Sequence, residues 1–138
     1  MKFVDTNVLL YLASTEPREA AKARVARAIL EAGDIALSVQ VLQEFYVQST
    51  RTGGRGSLTH QQASLLVESF ILRFPVQEMT VSLFAGALAV KERFGISFWD
   101  ASILEAARLL NCSTVLSEDL SHGQRYGAVV VKNPFRAV

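Results

Sequence analysis

The feature that most narrows the possible folds of this chain is an alternation of short apolar runs, too brief for helices, with helix-length amphipathic segments. Five such runs occur, at Lys2 to Val4, Ile35 to Leu37, Val76 to Met79, Ser113 to Leu116 and Ala128 to Val131. Strands joined by helical crossovers run parallel, and a parallel sheet is stable only when helices cover both of its faces. The expected architecture is therefore a three-layer α/β/α fold of five parallel strands with right-handed crossovers. A length of 138 residues gives room for one domain, spanning 1–138, with a sizeable core.

Helix punctuation supports the alternation. Asn7 to Ala13 reads as a short helix. Thr15 is the expected N-cap of a second helix, with Pro17 in its first turn and Gly33 as its stop. Ser38 caps a helix reaching about Thr50, with Val39, Leu42, Phe45 and Tyr46 facing inward. Thr59 and Gln62 form a capping-box pattern for a helix that ends before Pro75. Thr80 caps a helix ended by Gly95, and Ser97 opens one that runs to Leu110 and stops at Asn111. The stretch 52–57 has the glycine density of a mobile loop or lid, and Ser117 to Gly127 reads as a loop.

Composition excludes several classes. A formal net charge of +1 means that any nucleic-acid affinity must come from a local basic cluster. Cys112 is the only cysteine, so no internal disulfide or thiolate cluster is available, which fits a reducing cytosol. Asp5 and Asn7 interrupt the N-terminus before a signal-peptide apolar region develops, and the apolar run from Met79 to Val90 is well short of the roughly 20 residues of a membrane-spanning helix. The expectation is a soluble, cytoplasmic protein. Half of the residues are hydrophobic and mean hydropathy is +0.25, which hints at apolar surface covered by another chain.

Four carboxylates sit where packing alone would not put them. Asp5 follows the first strand, and Glu44 is embedded in the apolar Val41–Val47 stretch of its helix. Asp100 shares a helical face with Ile103, Leu104 and Ala107, and Asp119 lies just past the fourth strand. If strands one and four are neighbours, Asp5 and Asp119 leave the same sheet edge, and helices entering there deliver Glu44 and Asp100. Such a cluster is unfavourable without a cation, and oxygen donors without His or Cys select Mg²⁺ or Mn²⁺. The chemistry favoured is phosphodiester hydrolysis. Each acid also has a plainer reading. Asp5 and Asp100 suit helix caps, Glu44 a solvated helix face and Asp119 a turn.

Polar neighbours read the same two ways. Asn7 suits a turn donor or a group that orients water, and Ser117 a cap or a donor to phosphate or to Asp119. His122 is expected at the surface, and Trp99 is expected in the core rather than as a base-stacking platform. Arg51 and Arg55, with Lys91, Arg93 and Arg125, are candidates to grip a phosphate backbone.

These motifs carry a resemblance. Phe3-Val4-Asp5-Thr6-Asn7-Val8-Leu9, Glu44 in its helix, Phe98-Trp99-Asp100-Ala101-Ser102-Ile103, and Leu116-Ser117-Glu118-Asp119-Leu120 together resemble PIN-domain ribonucleases, and more narrowly the VapC-type toxins of toxin–antitoxin pairs. The segment from His122-Gly123-Gln124 to Asn133-Pro134-Phe135 resembles one branch of these toxins. The resemblance implies the strand order 3-2-1-4-5 and an acidic Mg²⁺ centre of Asp5, Glu44, Asp100 and Asp119, with Ser117 supporting the last. It also implies homodimers and an antitoxin whose C-terminal segment covers the cleft. Ser121 stands where some relatives carry a further acid, which implies a single ion.

The reading is a metal-dependent endoribonuclease of a type II toxin–antitoxin module. Asp5, Asp100 and Asp119 hold Mg²⁺ (Mn²⁺ as an alternative) and Glu44 prepares the attacking water. Asn7, Ser117, Arg51 and Arg55 meet RNA. Two rivals are a binding module whose acidic cleft captures a basic partner and a haloacid-dehalogenase-like phosphatase. The phosphatase motif needs a second aspartate where Asn7 stands.

Overall fold

In a computed structural model, which describes residues 1–52 and 57–138, strands and helices alternate as expected. β1 (Lys2–Val4) leads into α1 (Thr6–Ala13), and a 3₁₀ turn (Pro17–Glu19) precedes α2 (Ala20–Ala32). β2 (Ile35–Ser38), α3 (Val39–Ser49), α4 (His60–Arg73), β3 (Val76–Gln77), α5 (Val81–Phe94) and α6 (Phe98–Leu109) follow. The chain continues through β4 (Thr114–Leu116), β5 (Arg125–Tyr126) and β6 (Val129–Lys132). The expected loop at 52–57 falls mostly outside the described residues.

The sheet has the order β3-β2-β1-β4-β6-β5. Every pairing is parallel except the last, where Arg125 and Tyr126 run antiparallel to Val130 and Val129. The five parallel strands keep the expected order, and the correction is a sixth, two-residue strand folded back inside the expected 117–127 loop. So short a strand leaves no alternating pattern to read, and Gly127, at φ 63, makes the turn that returns it.

Successive strand residues point to opposite faces, so an unbroken buried run means that both faces are covered. All four residues of β2 and all three of β4 are buried, as are Phe3 and Val4. The core continues through Val8, Leu9, Val41, Phe45, Leu83, Leu104 and Val131, with Phe45 meeting Phe70 edge-on at 5.6 Å.

The caps are largely where the side chains demand. Ser38, Thr59, Thr80 and Ser97 each accept from a backbone amide three residues on, and Thr59 with Gln62 completes the capping box. Gly95 ends α5 in the left-handed region. Thr15 is not a cap. The hydroxyl of Ser14, one residue earlier, accepts from Glu16 N at 3.2 Å and donates to Glu19 at 2.6 Å, and Pro17 then starts a 3₁₀ turn. In α6, Glu105 is buried against α5 and is bound by the Arg108 guanidinium at 2.5 and 3.0 Å. Gly86 makes that possible, since a Cβ there would lie 1.8 Å from Glu105 Oε2. Among the described residues no helix is long and apolar enough to cross a membrane.

Candidate active site

The site follows from strand register. Val4 pairs with Leu116, and the next residue on each strand is Asp5 and Ser117. Asp5 N donates to Leu116 O at 3.0 Å, which continues the ladder one step past both strands. The Ser117 hydroxyl donates to Asp5 Oδ2 at 2.7 Å, and Thr6 N donates to Asp5 Oδ1 at 2.7 Å as α1 begins. Asp5 thus caps α1 and also faces the cavity, so the two readings of this residue coexist.

The cavity, about 230 Å³, opens at the C-terminal edge of the sheet. All four expected acids line it: Asp5 from β1, Glu44 from α3, Asp100 from the first turn of α6, and Asp119 from the turn after β4. Glu44 is held by two donors, Thr6 Oγ1 to Oε2 at 2.8 Å and Gln40 Nε2 to Oε1 at 3.0 Å. Asn7 donates to Asp119 Oδ2 at 3.1 Å and accepts from Glu118 N at 3.3 Å, fastening the 117–119 turn to α1. The Asp100 amide is capped by Ser97 at 3.1 Å, while its carboxylate has no hydrogen bond or ion pair among the described residues.

At Asp5 burial outweighs the crowding of like charge. The Asp5 carboxyl is pushed up to about 6, chiefly by burial, against the pull of its bonds from Ser117 and Thr6, with the charges of Asp119 and Glu44 adding to the rise. No Lys, Arg or His is among the described residues that line the cavity. A fifth acid, Glu118, also lines it, but its charge is turned outward: Lys22 Nζ reaches Oε2 at 2.6 Å and Tyr11 OH donates to Oε1 at 2.5 Å.

A divalent cation fits this donor set. The donors are all hard oxygens, their mutual repulsion is uncompensated, and one carboxylate is unheld. Among the described residues no three acidic, histidine or cysteine side chains are already arranged to enclose an ion.

Other expectations fare unevenly. Ser117, expected to meet substrate, is wholly buried, and its hydroxyl is engaged by Asp5 and by the amide of Asp119 at 3.2 Å, so it supports two aspartates from beneath. Trp99 is not core: it is 62% exposed in the first turn of α6, where it lines the cavity. Arg51 lines an adjoining groove rather than the cavity itself. Arg55 lies outside the described residues. His122 lies at the surface, where Nδ1 accepts from Asn133 N at 3.0 Å and ties a turn to the end of β6. Thr6 and Gln40, which orient Glu44, were not foreseen. Thr6 lies inside the first motif, whereas Gln40 has no signal beyond its spacing of four residues from Glu44.

A mostly parallel α/β sheet with a carboxylate-lined cavity at its C-terminal edge defines the class: an open α/β protein with an acidic, cation-suited site. The PIN domain family model matches residues 2–126, and the chain belongs to that family. No curated protein matches it by sequence. Among solved structures, the chain is similar to a toxin–antitoxin complex from Klebsiella pneumoniae, with a TM-score of 0.72 and 19% identity over 98% of each chain. Mycobacterium tuberculosis VapC20, described as a sarcin–ricin loop cleaving toxin, gives 0.65 and 19% over 86% of this chain and 90% of that one. FitAcB from Neisseria gonorrhoeae gives 0.60 and 21% over 99% of each. At these identities the likeness is one of fold.

Proposed function

We propose that this PIN-domain protein is a metal-dependent endoribonuclease, the toxin of a type II toxin–antitoxin module. The observation that carries the proposal is the convergence of Asp5, Glu44, Asp100 and Asp119, from four separate elements, on one cavity with no cationic side chain among the described lining residues. The similarity to a VapC toxin described as cleaving the sarcin–ricin loop supports RNA as the substrate. Complexes of similar toxins with antitoxins support a protein inhibitor as the resident partner and a dimeric assembly.

In this reading Asp5, Asp100 and Asp119 hold the cation. When bound, Mg²⁺ or Mn²⁺ acidifies water and screens the charge that builds on the phosphate during in-line displacement. The protein's own part is orientation. Ser117 and the Thr6 amide fix both oxygens of Asp5, and Asn7 fixes Asp119. Glu44, held by Thr6 and Gln40, keeps a free lone pair on each oxygen and takes the proton from the attacking water. Asp100, unheld by protein, adjusts as substrate arrives. Asn7 and Arg51 contact the RNA, as Arg55 does in the sequence-based assignment.

The test is incubation of purified, inhibitor-free protein with total RNA, with and without divalent metal, followed by sequencing of the new ends. Discrete metal-dependent ends are expected. Their absence with every metal would favour the binding-module reading. The phosphatase reading finds no support at position 7, where the Asn7 amide is engaged with Asp119 and Glu118.

A further inference from the structure

Trp99 stands where two cavities meet. One is the acidic pocket. The other is a shallower groove of about 540 Å³ along α3 that shares Gln40, Glu44, Gln48, Trp99 and Asp100 with it and ends at Arg51. At that junction the indole offers a large, mostly exposed aromatic surface. The ring is braced: Phe98 meets it edge-on at 5.1 Å, and Phe84 meets Phe98 edge-on at 5.6 Å.

The α3 wall of the groove is a helical stripe, Gln40, Gln43, Val47, Gln48 and, just past the helix, Arg51. Its amides offer both donors and acceptors, and Arg51 offers a guanidinium with no ion-pair partner among the described residues. Gln40 ties the two cavities together. Only 4% exposed, it donates from Nε2 to Glu44 Oε1 at 3.0 Å and to the Trp99 carbonyl at 3.3 Å, while its buried Oε1 has no partner among the described residues. That amide thereby holds the Trp99 backbone against Glu44 at the seam of the two cavities.

An aromatic face, amide edges opposite it and a guanidinium beyond suit an unpaired nucleobase followed by a phosphate. Apolar atoms supply most of the exposed lining of the groove, as a ring and the aliphatic stems of glutamines that receive the flat face of a base would. The exposed apolar stripe Val81, Phe84 and Leu88 lies on α5, and the edge-on contacts link it to Trp99 only through Phe98. We propose that Trp99 and the α3 groove form a nucleobase subsite, seating one unpaired base of single-stranded RNA next to the phosphate that occupies the acidic pocket. The substrate identity rests on the ribonuclease reading; the subsite geometry does not.

Trp99 is the sole tryptophan, so intrinsic fluorescence reports on this position alone. The experiment titrates an Asp119→Asn background, in Mg²⁺, with a short single-stranded oligoribonucleotide, the same strand as a duplex, and an abasic strand. The single strand should quench the emission saturably, and the duplex and abasic strands should not. Trp99→Ala should weaken binding of labelled single strand by roughly 5- to 150-fold, the range for one stacked base, and Trp99→Phe by only a few-fold. With Asp119 restored, Trp99→Ala should raise KM more than it lowers kcat. Strand binding without quenching, or unchanged affinity and KM in Trp99→Ala, overturns the subsite. A blue shift that grows with protein concentration, with no response to RNA, overturns it in favour of a second copy covering the ring. Quenching by RNA in a protein that cuts nothing defeats the ribonuclease reading and upholds the subsite, whereas metal-dependent cleavage indifferent to Trp99 does the reverse.

Discussion

The floor and the mouth of the cavity are built differently. On the floor, Asp5, Asp119 and Glu44 are each fixed by side-chain donors, and Ser117 beneath them is shut off from solvent. At the mouth, the Asp100 carboxylate is bound by nothing among the described residues and its neighbour Trp99 stands in water. Asp5 and Asp119 hang from the ends of β1 and β4, where a shift of one residue would break the ladder, and Glu44 is clamped onto them from α3. The mouth hangs from the first turn of a helix, where side chains move without disturbing hydrogen bonds. Rigid groups set the reaction geometry, and loosely held ones admit the substrate.

Substitutions on the two sides should therefore separate activity from stability. The largest expected effect is at the mouth: Asp100→Asn should lower RNA cleavage by roughly a thousandfold or more while changing unfolding free energy by less than about 0.5 kcal/mol. A large loss of stability in a denaturant titration would show that Asp100 is as structural as the floor.

Next comes the pH dependence of the metal-free protein, set by Asp5. Its folded value, about 6, lies above the ordinary 3.8, so the folded state binds more protons between those limits. Stability from this group is therefore present at low pH and is lost as pH rises through 6, by about 3 kcal/mol at most. Asp5→Asn should flatten that decline in metal-free protein. Added Mg²⁺ should raise the melting temperature of the wild type more at pH 7 than at pH 5, because ionised Asp5 is the form that binds it.

Ser117→Ala tests the support beneath the floor, with an expected loss of about 10- to 100-fold in activity or metal affinity and about 1–3 kcal/mol in stability. Thr6→Val should have the smallest effect, a few-fold fall in kcat, since Gln40 still holds the other Glu44 oxygen. An effect as large as that of Ser117→Ala would place Glu44 among the groups that must be rigid.

Much of this architecture is legible in the residues. Ser38, Ser97, Thr59 with Gln62, and Gly95 announce helix ends because capping is local chemistry, decided within four residues. The four acids were recognisable because each interrupts an apolar pattern or follows a strand. What escaped depends on distant partners. Glu105 is as buried as any core residue, yet only Gly86 on another helix and Arg108 explain how it is tolerated. Thr15 is passed over as a cap because Pro17 starts a 3₁₀ turn whose N-cap position falls on Glu16, and α2 then begins after Glu19 with no side-chain cap. Trp99 follows Phe98 in the first turn of α6, and which of the two rings faces solvent depends on the tertiary packing of that helix. Gln40 owes its importance to Glu44 and to the Trp99 carbonyl, 59 positions away.

The register that sets Asp5 beside Ser117 joins residues 112 positions apart. A stretch of this chain that stops before β4 holds Asp5 without its partner, so the cavity floor comes into being only when strands far apart in sequence have closed on each other, a late and cooperative event in folding.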